Sequence, residues 1–160
     1  MILCLHYLGE KRRLAITLEQ LDAIVARERA AGRRAGSLAH ALDPNRFVLT
    51  FDDAHRSLLT LAAPRLRALD VPAAVFVPTD YVGASDEVLS WDELRELRDA
   101  GWTIGSHSRT HTRMSWRLYD EDAAAFARRL DDEAAKSREI LEQKLGIAIR
   151  DFAYPYGEHT

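Results

Sequence analysis

Two short runs constrain this chain more than anything else in it: RFVLTF at residues 46–51 and AAVFVP at 73–78. Both are almost continuously apolar and contain no internal breaker. A strand with one wet face would alternate, so these runs read as strands covered on both faces. Between them, RSLLTLAAPRLRALD (56–70) has helical spacing, with Pro64 as a point where the helix kinks or breaks. A buried strand, a helix and a second buried strand make the unit of a parallel sheet.

The same alternation extends in both directions. ILCLHY (2–7) reads as a short buried strand, with Cys4 as a small buried hydrophobe. Thr17 followed by Gln20 is a capping box opening a helix that carries Leu18, Leu21, Ile24 and Val25 on one face and ends by Gly32. Residues 32–45 read as loop. Ser90 with Glu93 opens a second capped helix, closed by Gly101, and WTIG (102–105) is the next strand. A long helix is expected from about Asp120 to Leu145, with Phe126, Leu130, Ala134, Leu141 and Leu145 on one side and Gly146 as its stop. RDFAYP (150–155) is the last strand. No repeat or linker divides the chain, so residues 1–160 are expected to form one domain.

Charge and composition exclude some functions. Lys and Arg number 22 against 25 Asp and Glu, a net charge of −3, which lacks the basic footprint of a nucleic-acid binder. No stretch approaches the length of a membrane span. The opening MILCLHYLGEKRR is apolar first and basic second, the reverse of a secretory signal, so no signal peptide is read here and the compartment stays open. One cysteine allows no internal disulfide.

In parallel α/β folds, reactive groups stand where strands end. RFVLTF ends in Asp52 and Asp53, WTIG runs into SHSRTH with His107 and His111, and the last strand ends in YPYGEHT. Two imidazoles and a carboxylate suit a divalent ion of the zinc type, with positions left open for water. Such an ion lowers the pKa of its water from about 15.7 towards about 7, and a second carboxylate can then take the proton. Each feature alone has an ordinary explanation: Asp pairs cap helices, and loop histidines hydrogen-bond. Their order at three strand ends points to one site. His6, His40, His55 and His159 are read as surface or supporting histidines, and Trp91, Trp102 and Trp116 as core or rim packing.

That order resembles the polysaccharide deacetylase family, the NodB-homology domain of a carbohydrate esterase family. The resemblance rests on LTFDD (49–53), SHSRTH (106–111) and FAYPYG (152–157), with VPAAVFVPTDYVG and LSWDELRELRDAGWTIGSHS between them. It implies an α/β fold, an irregular (βα) barrel with its site at the carboxyl ends of the strands. It implies that Asp52 is the general base, that Asp53, His107 and His111 hold a divalent metal, zinc first with cobalt, nickel or manganese as alternatives, and that the Tyr156 N–H helps bind an oxyanion. Tyr154, Pro155 and Arg150 are the implied substrate-side residues. The reaction implied is removal of N-acetyl or O-acetyl groups from an acetylated glycan, whose identity the motifs leave open.

The pattern is departed from in four places. Ala54 stands where the family usually has glycine after the aspartate pair; if that backbone needs a positive φ, alanine costs on the order of 1 kcal/mol. Ala153 stands where many members carry an arginine that steadies the catalytic aspartate, and Arg150 is the nearest replacement. The segments that usually follow, with their apolar pocket wall and general-acid histidine, have no counterpart before Thr160. About five strands cannot close such a barrel. The barrel is therefore expected to be incomplete at its C-terminus. A missing segment or a partner chain would complete it, and the alternative to an enzyme is a fragment or metal- and glycan-binding remnant.

Overall fold

A computed structural model describes residues 1–9 and 14–158. Strands β1 (Ile2–Leu5), β2 (Tyr7–Leu8) and β3 (Ala15–Ile16) precede helix α1 (Leu18–Ala30). Then come β4 (Arg34–Ala35), β5 (Arg46–Phe51), α2 (Ala63–Ala68), β6 (Ala73–Val77), α3 (Trp91–Asp99), β7 (Thr103–Ser106), α4 (Ala123–Asp131) and α5 (Ser137–Leu145). The main sheet has the order β1-β5-β6-β7, with β4 against the first two residues of β5. Every ladder in it is parallel. The element order is that of an α/β fold with a parallel sheet, and among the described residues this sheet stays open.

Local signals act where they stand. Thr17 caps α1 through Gln20 N–H at 3.2 Å, and Gln20 Oε1 accepts the Thr17 N–H at 2.8 Å. Ser90 and Glu93 repeat the exchange at α3. Gly146 ends α5 at φ 67°, the left-handed conformation that glycine tolerates best. Phe47, Leu49 and Phe51 of β5 and Ala73, Val75 and Val77 of β6 meet Leu21, Leu58, Leu66, Leu94, Leu97 and Leu141 from the helices in one core. Both faces of β5 are covered, as its continuous apolar run requires.

The structure differs from the sequence reading at several elements. Arg34–Ala35, read as loop, pairs with Arg46 and Phe47; a two-residue strand containing arginine gives no apolar signal. Before Pro64 the helix winds as a π-turn (58–62) that runs on into α2, so Pro64 sits in a continuous helical stretch at the point where regular winding is interrupted. The long helix is α4 and α5 joined through a second π-turn (132–136). That extra residue breaks the expected single apolar face: α4 buries no residue, whereas α5 buries Leu141 and Leu145. RDFAYP is reduced to one parallel bridge, Ser106 to Phe152. Cys4 is exposed rather than buried, because alternate residues of the edge strand β1, Ile2 and Cys4, face an open cavity at the strand ends. His159 lies outside the described residues.

Candidate active site

Three strand ends converge. Pairing of β5 with β1 runs one residue past the strand, Asp52 N–H donating to the Leu5 carbonyl at 2.9 Å. The chain then turns through two left-handed residues, Asp53 (φ 67°) and Ala54 (φ 52°). This lets adjacent aspartates reach one cavity instead of opposite faces. The positive φ foreseen for the usual glycine is therefore real, and Ala54 adopts it fully buried. Beside them, β7 is extended by His107 N–H donating to Val77 O at 3.0 Å. The loop continues through Ser108 (φ 65°) to His111 (φ 57°), whose N–H donates to Ser108 Oγ at 3.0 Å. The third segment lies along β7, where Ala153 N–H donates to Ser106 O at 2.9 Å.

The result is a cavity of about 770 Å³ lined by Asp52, Asp53, His107, His111, Tyr154 and Tyr156, with Phe76 and Phe152 as apolar wall. Asp53 Oδ1 lies 3.2 Å from His111 Nε2 and 3.7 Å from His107 Nε2. One ligating atom from each of these three residues falls within 4.8 Å of the others. Asp53 Oδ1 is buried and has no hydrogen-bond partner. An orphaned buried carboxylate oxygen facing two imidazole nitrogens fits a divalent cation.

Protonation states agree with that fit. His107 is 2% exposed, and its Nδ1 is 2.9 Å from the Ala153 carbonyl. A carbonyl only accepts, so Nδ1 carries the proton and Nε2 presents a lone pair to the cavity. Burial, with His111 beside it, holds His107 below the ordinary imidazole range against the pull of Asp52. Burial would raise the Asp53 carboxyl, but His111 beside it outweighs that and keeps Asp53 below its usual value.

Asp52 is 9% exposed and 3.9 Å from His107 Nε2. Its Oδ2 accepts from Cys4 Sγ at 3.2 Å, while Oδ1 is buried without a partner. Desolvation of the thiol and the Asp52 charge push Cys4 up to about 12, so it remains a donor. The donor standing against Asp52 is thus a thiol from β1. Arg150 is exposed and lines a separate cavity with Arg138 and Asp151. Pro155 is buried and starts the tight turn that sets Tyr156 at φ 61°. The Arg113 guanidinium lies 4.4 Å over the Tyr156 ring and pairs with Glu158, tying this turn to the histidine loop.

Two features escape sequence reasoning. His6 lines the cavity with Ile2 and Cys4; its place one step beyond β1, continuing the period-two spacing of Ile2 and Cys4, is the signal that could have found it. Glu133, 4% exposed, accepts the N–H groups of Arg109 and Thr110 and the Thr110 hydroxyl, and no local pattern announces it. His40 is exposed, His55 bonds Ser57, and Trp102 packs on Phe51, while Trp116 is 62% exposed.

A family model described as polysaccharide deacetylase matches residues 39–160. The chain belongs to the polysaccharide deacetylase family. A poly-beta-1,6-N-acetyl-D-glucosamine N-deacetylase of Staphylococcus aureus is 27% identical over 120 residues, covering 71% of this chain and 41% of the relative. The chain therefore matches less than half the length of that relative. IcaB from Ammonifex degensii superposes with a TM-score of 0.85 at 25% identity, over 99% of this chain and 75% of that one. A de-N-acetylase from Aggregatibacter actinomycetemcomitans shares the fold, with a TM-score of 0.88 at 17% identity over 99% and 80% of the two chains. Among the described residues no helix is long and apolar enough to cross a membrane.

Proposed function

We propose that this chain is a metal-dependent deacetylase that hydrolyses the acetamide of an N-acetylglucosamine polymer. The observation that carries the reading is the meeting of Asp52 and Asp53, from the end of β5, with His107 and His111, from the end of β7, in one cavity. The choice of glycan is supported by the activity of the Staphylococcus aureus relative, a poly-beta-1,6-N-acetyl-D-glucosamine N-deacetylase.

Asp53, His107 and His111 would hold the divalent ion, zinc first, with cobalt, nickel or manganese as other occupants. Bound there, it supplies Lewis-acid polarisation of the acetyl carbonyl and a water of lowered pKa. Asp52 Oδ1, buried and unpaired, takes the proton of the attacking water. Cys4 holds the other oxygen and limits rotation of the carboxylate. The Tyr156 N–H donates to the developing oxyanion, a contact typically worth about 3 kcal/mol. Tyr154 and Tyr156, both exposed at the mouth, offer rings for the sugar.

The experiment is acetate release from β-1,6-linked N-acetylglucosamine oligomers, comparing zinc-loaded with chelator-stripped protein. Release that disappears on chelation and returns with zinc is the expected result. Tight zinc binding without release would overturn the catalytic reading in favour of a metal-holding remnant. Absence of zinc binding would remove both.

A further inference from the structure

The loop between the two histidines is held from a helix, and the anchoring group is a buried carboxylate. Glu133 sits in the π-turn between α4 and α5. Its Oε2 accepts the Arg109 N–H at 2.9 Å and the Thr110 N–H at 2.8 Å, and its Oε1 accepts the Thr110 hydroxyl at 2.8 Å. All three donors belong to the two residues immediately before His111. Among the described residues no cation forms an ion pair with Glu133. Burying a carboxylate is costly unless donors replace its water, and here the loop supplies them.

Main-chain bonds from the segment after β6 also support this loop. Thr79 N–H donates to Ser108 O at 3.3 Å and Asp80 N–H to Arg109 O at 2.9 Å. Glu133 adds its bonds from the helix layer. Ser137, four residues along the same helix, is also buried and bonds Ser106 Oγ at 2.5 Å. One helical face thus grips both β7 and the loop that follows it. The π-turn is the irregularity that interrupts regular winding at this point, and such turns cluster at functional sites.

We infer that Glu133 is the positioning residue of the metal centre: its carboxylate fixes Arg109 and Thr110 and so presets the separation of His107 and His111 for a divalent cation. This rests on the reading of Asp53, His107 and His111 as the metal ligands. Glu133 touches neither cation nor substrate. Its effect passes through the backbone on which His111 stands.

The test uses zinc alone, titrated against a chromophoric chelator, and the visible spectrum of the cobalt(II)-loaded protein. Glu133→Ala, folded by circular dichroism, is expected to bind zinc about 10- to 100-fold more weakly, the range for loss of an outer-sphere partner, and to show altered cobalt bands. Glu133→Gln retains a single acceptor oxygen and is expected to fall between the alanine variant and the parent. Thr110→Val, which removes one donor, is expected to lose less than Glu133→Ala. A purely structural glutamate would lower the melting temperature yet leave zinc affinity and the cobalt spectrum of the folded variants unchanged. Affinity within twofold of the parent in Glu133→Ala therefore overturns the inference. If that variant does not fold, the same result in both Glu133→Gln and Thr110→Val overturns it. Zinc bound equally by parent and variants leaves the metal-centre reading standing, whereas a parent that binds no zinc removes that reading and this inference together.

Discussion

The aspartate turn and the histidine loop do the same job by different means. The turn at 52–54 is fixed by main chain and core: Asp52 N–H extends the β1 ladder, and Leu89 N–H donates to the Ala54 carbonyl at 2.9 Å. The loop at 107–111 leaves the sheet after one residue and depends on side chains, Glu133 and Ser108 above all. Both need left-handed backbone to aim their ligands. The difference teaches where each should be vulnerable. A turn fastened by ladder bonds resists side-chain changes around it, whereas a loop that adds side-chain anchors to two main-chain bonds concentrates its side-chain support in Glu133 and Ser108.

The largest effect tests the turn's chemistry. Asp52→Asn should lower the rate of acetate release by about 10²- to 10⁴-fold, the usual worth of a general base, while zinc affinity measured by chelator competition stays near the parent's. Equal loss of zinc would place Asp52 among the ligands and erase the division of labour between the two aspartates. Next, His111→Ala should weaken zinc binding by more than about 100-fold, since a direct ligand outweighs an outer-sphere partner. A smaller loss than in Glu133→Ala would reverse the order argued above.

A stability test comes third. An added Cβ at Gly105 would stand 2.5 Å from Phe76 Cε1 and 3.1 Å from Asp151 O. Gly105→Ala should destabilise the fold by about 1–3 kcal/mol in denaturant titration, by forcing apart the strands that aim the histidines. The smallest effect is expected at Ala54. Ala54→Gly relieves a left-handed penalty of about 1–2 kcal/mol. It gives up the burial of one methyl, about 0.8 kcal/mol, and loosens the unfolded chain by a further 0.5–1 kcal/mol. These oppose one another, so the net change in unfolding free energy should stay within about 1 kcal/mol.

Much of this arrangement is legible in the residues because it is written in local chemistry. RFVLTF forms a strand over its full length, both capping boxes close, and Gly146 stops its helix. The joint order of Asp52–Asp53, His107–His111 and the YPYG turn reads correctly as one place, since parallel strands deliver their ends to one rim. What stays hidden is set by long-range contact. Glu133 is 22 residues from His111 in sequence and looks like any helical glutamate until the fold brings its carboxylate under Thr110. Cys4 reads as core because its neighbours are apolar, and only the edge position of β1 turns it toward Asp52. The last strand shrinks to a bridge at Phe152 for a similar reason, since its apolar run says nothing about how far a partner ladder extends.

Seven non-glycine residues have positive φ among those described, and five of them, Asp53, Ala54, Ser108, His111 and Tyr156, belong to the three segments that build the cavity. Each is a conformation that an ordinary side chain would leave if nothing restrained it. Selection for stability alone would favour glycine or asparagine at such points, or a reshaped turn. The four of these other than Ala54, where the family usually has glycine, therefore serve as a gauge of purpose across related chains. Where the chemistry is still in use, awkward residues should persist in the left-handed backbone. Where it has lapsed, drift should relax these turns first, before the core beneath them changes.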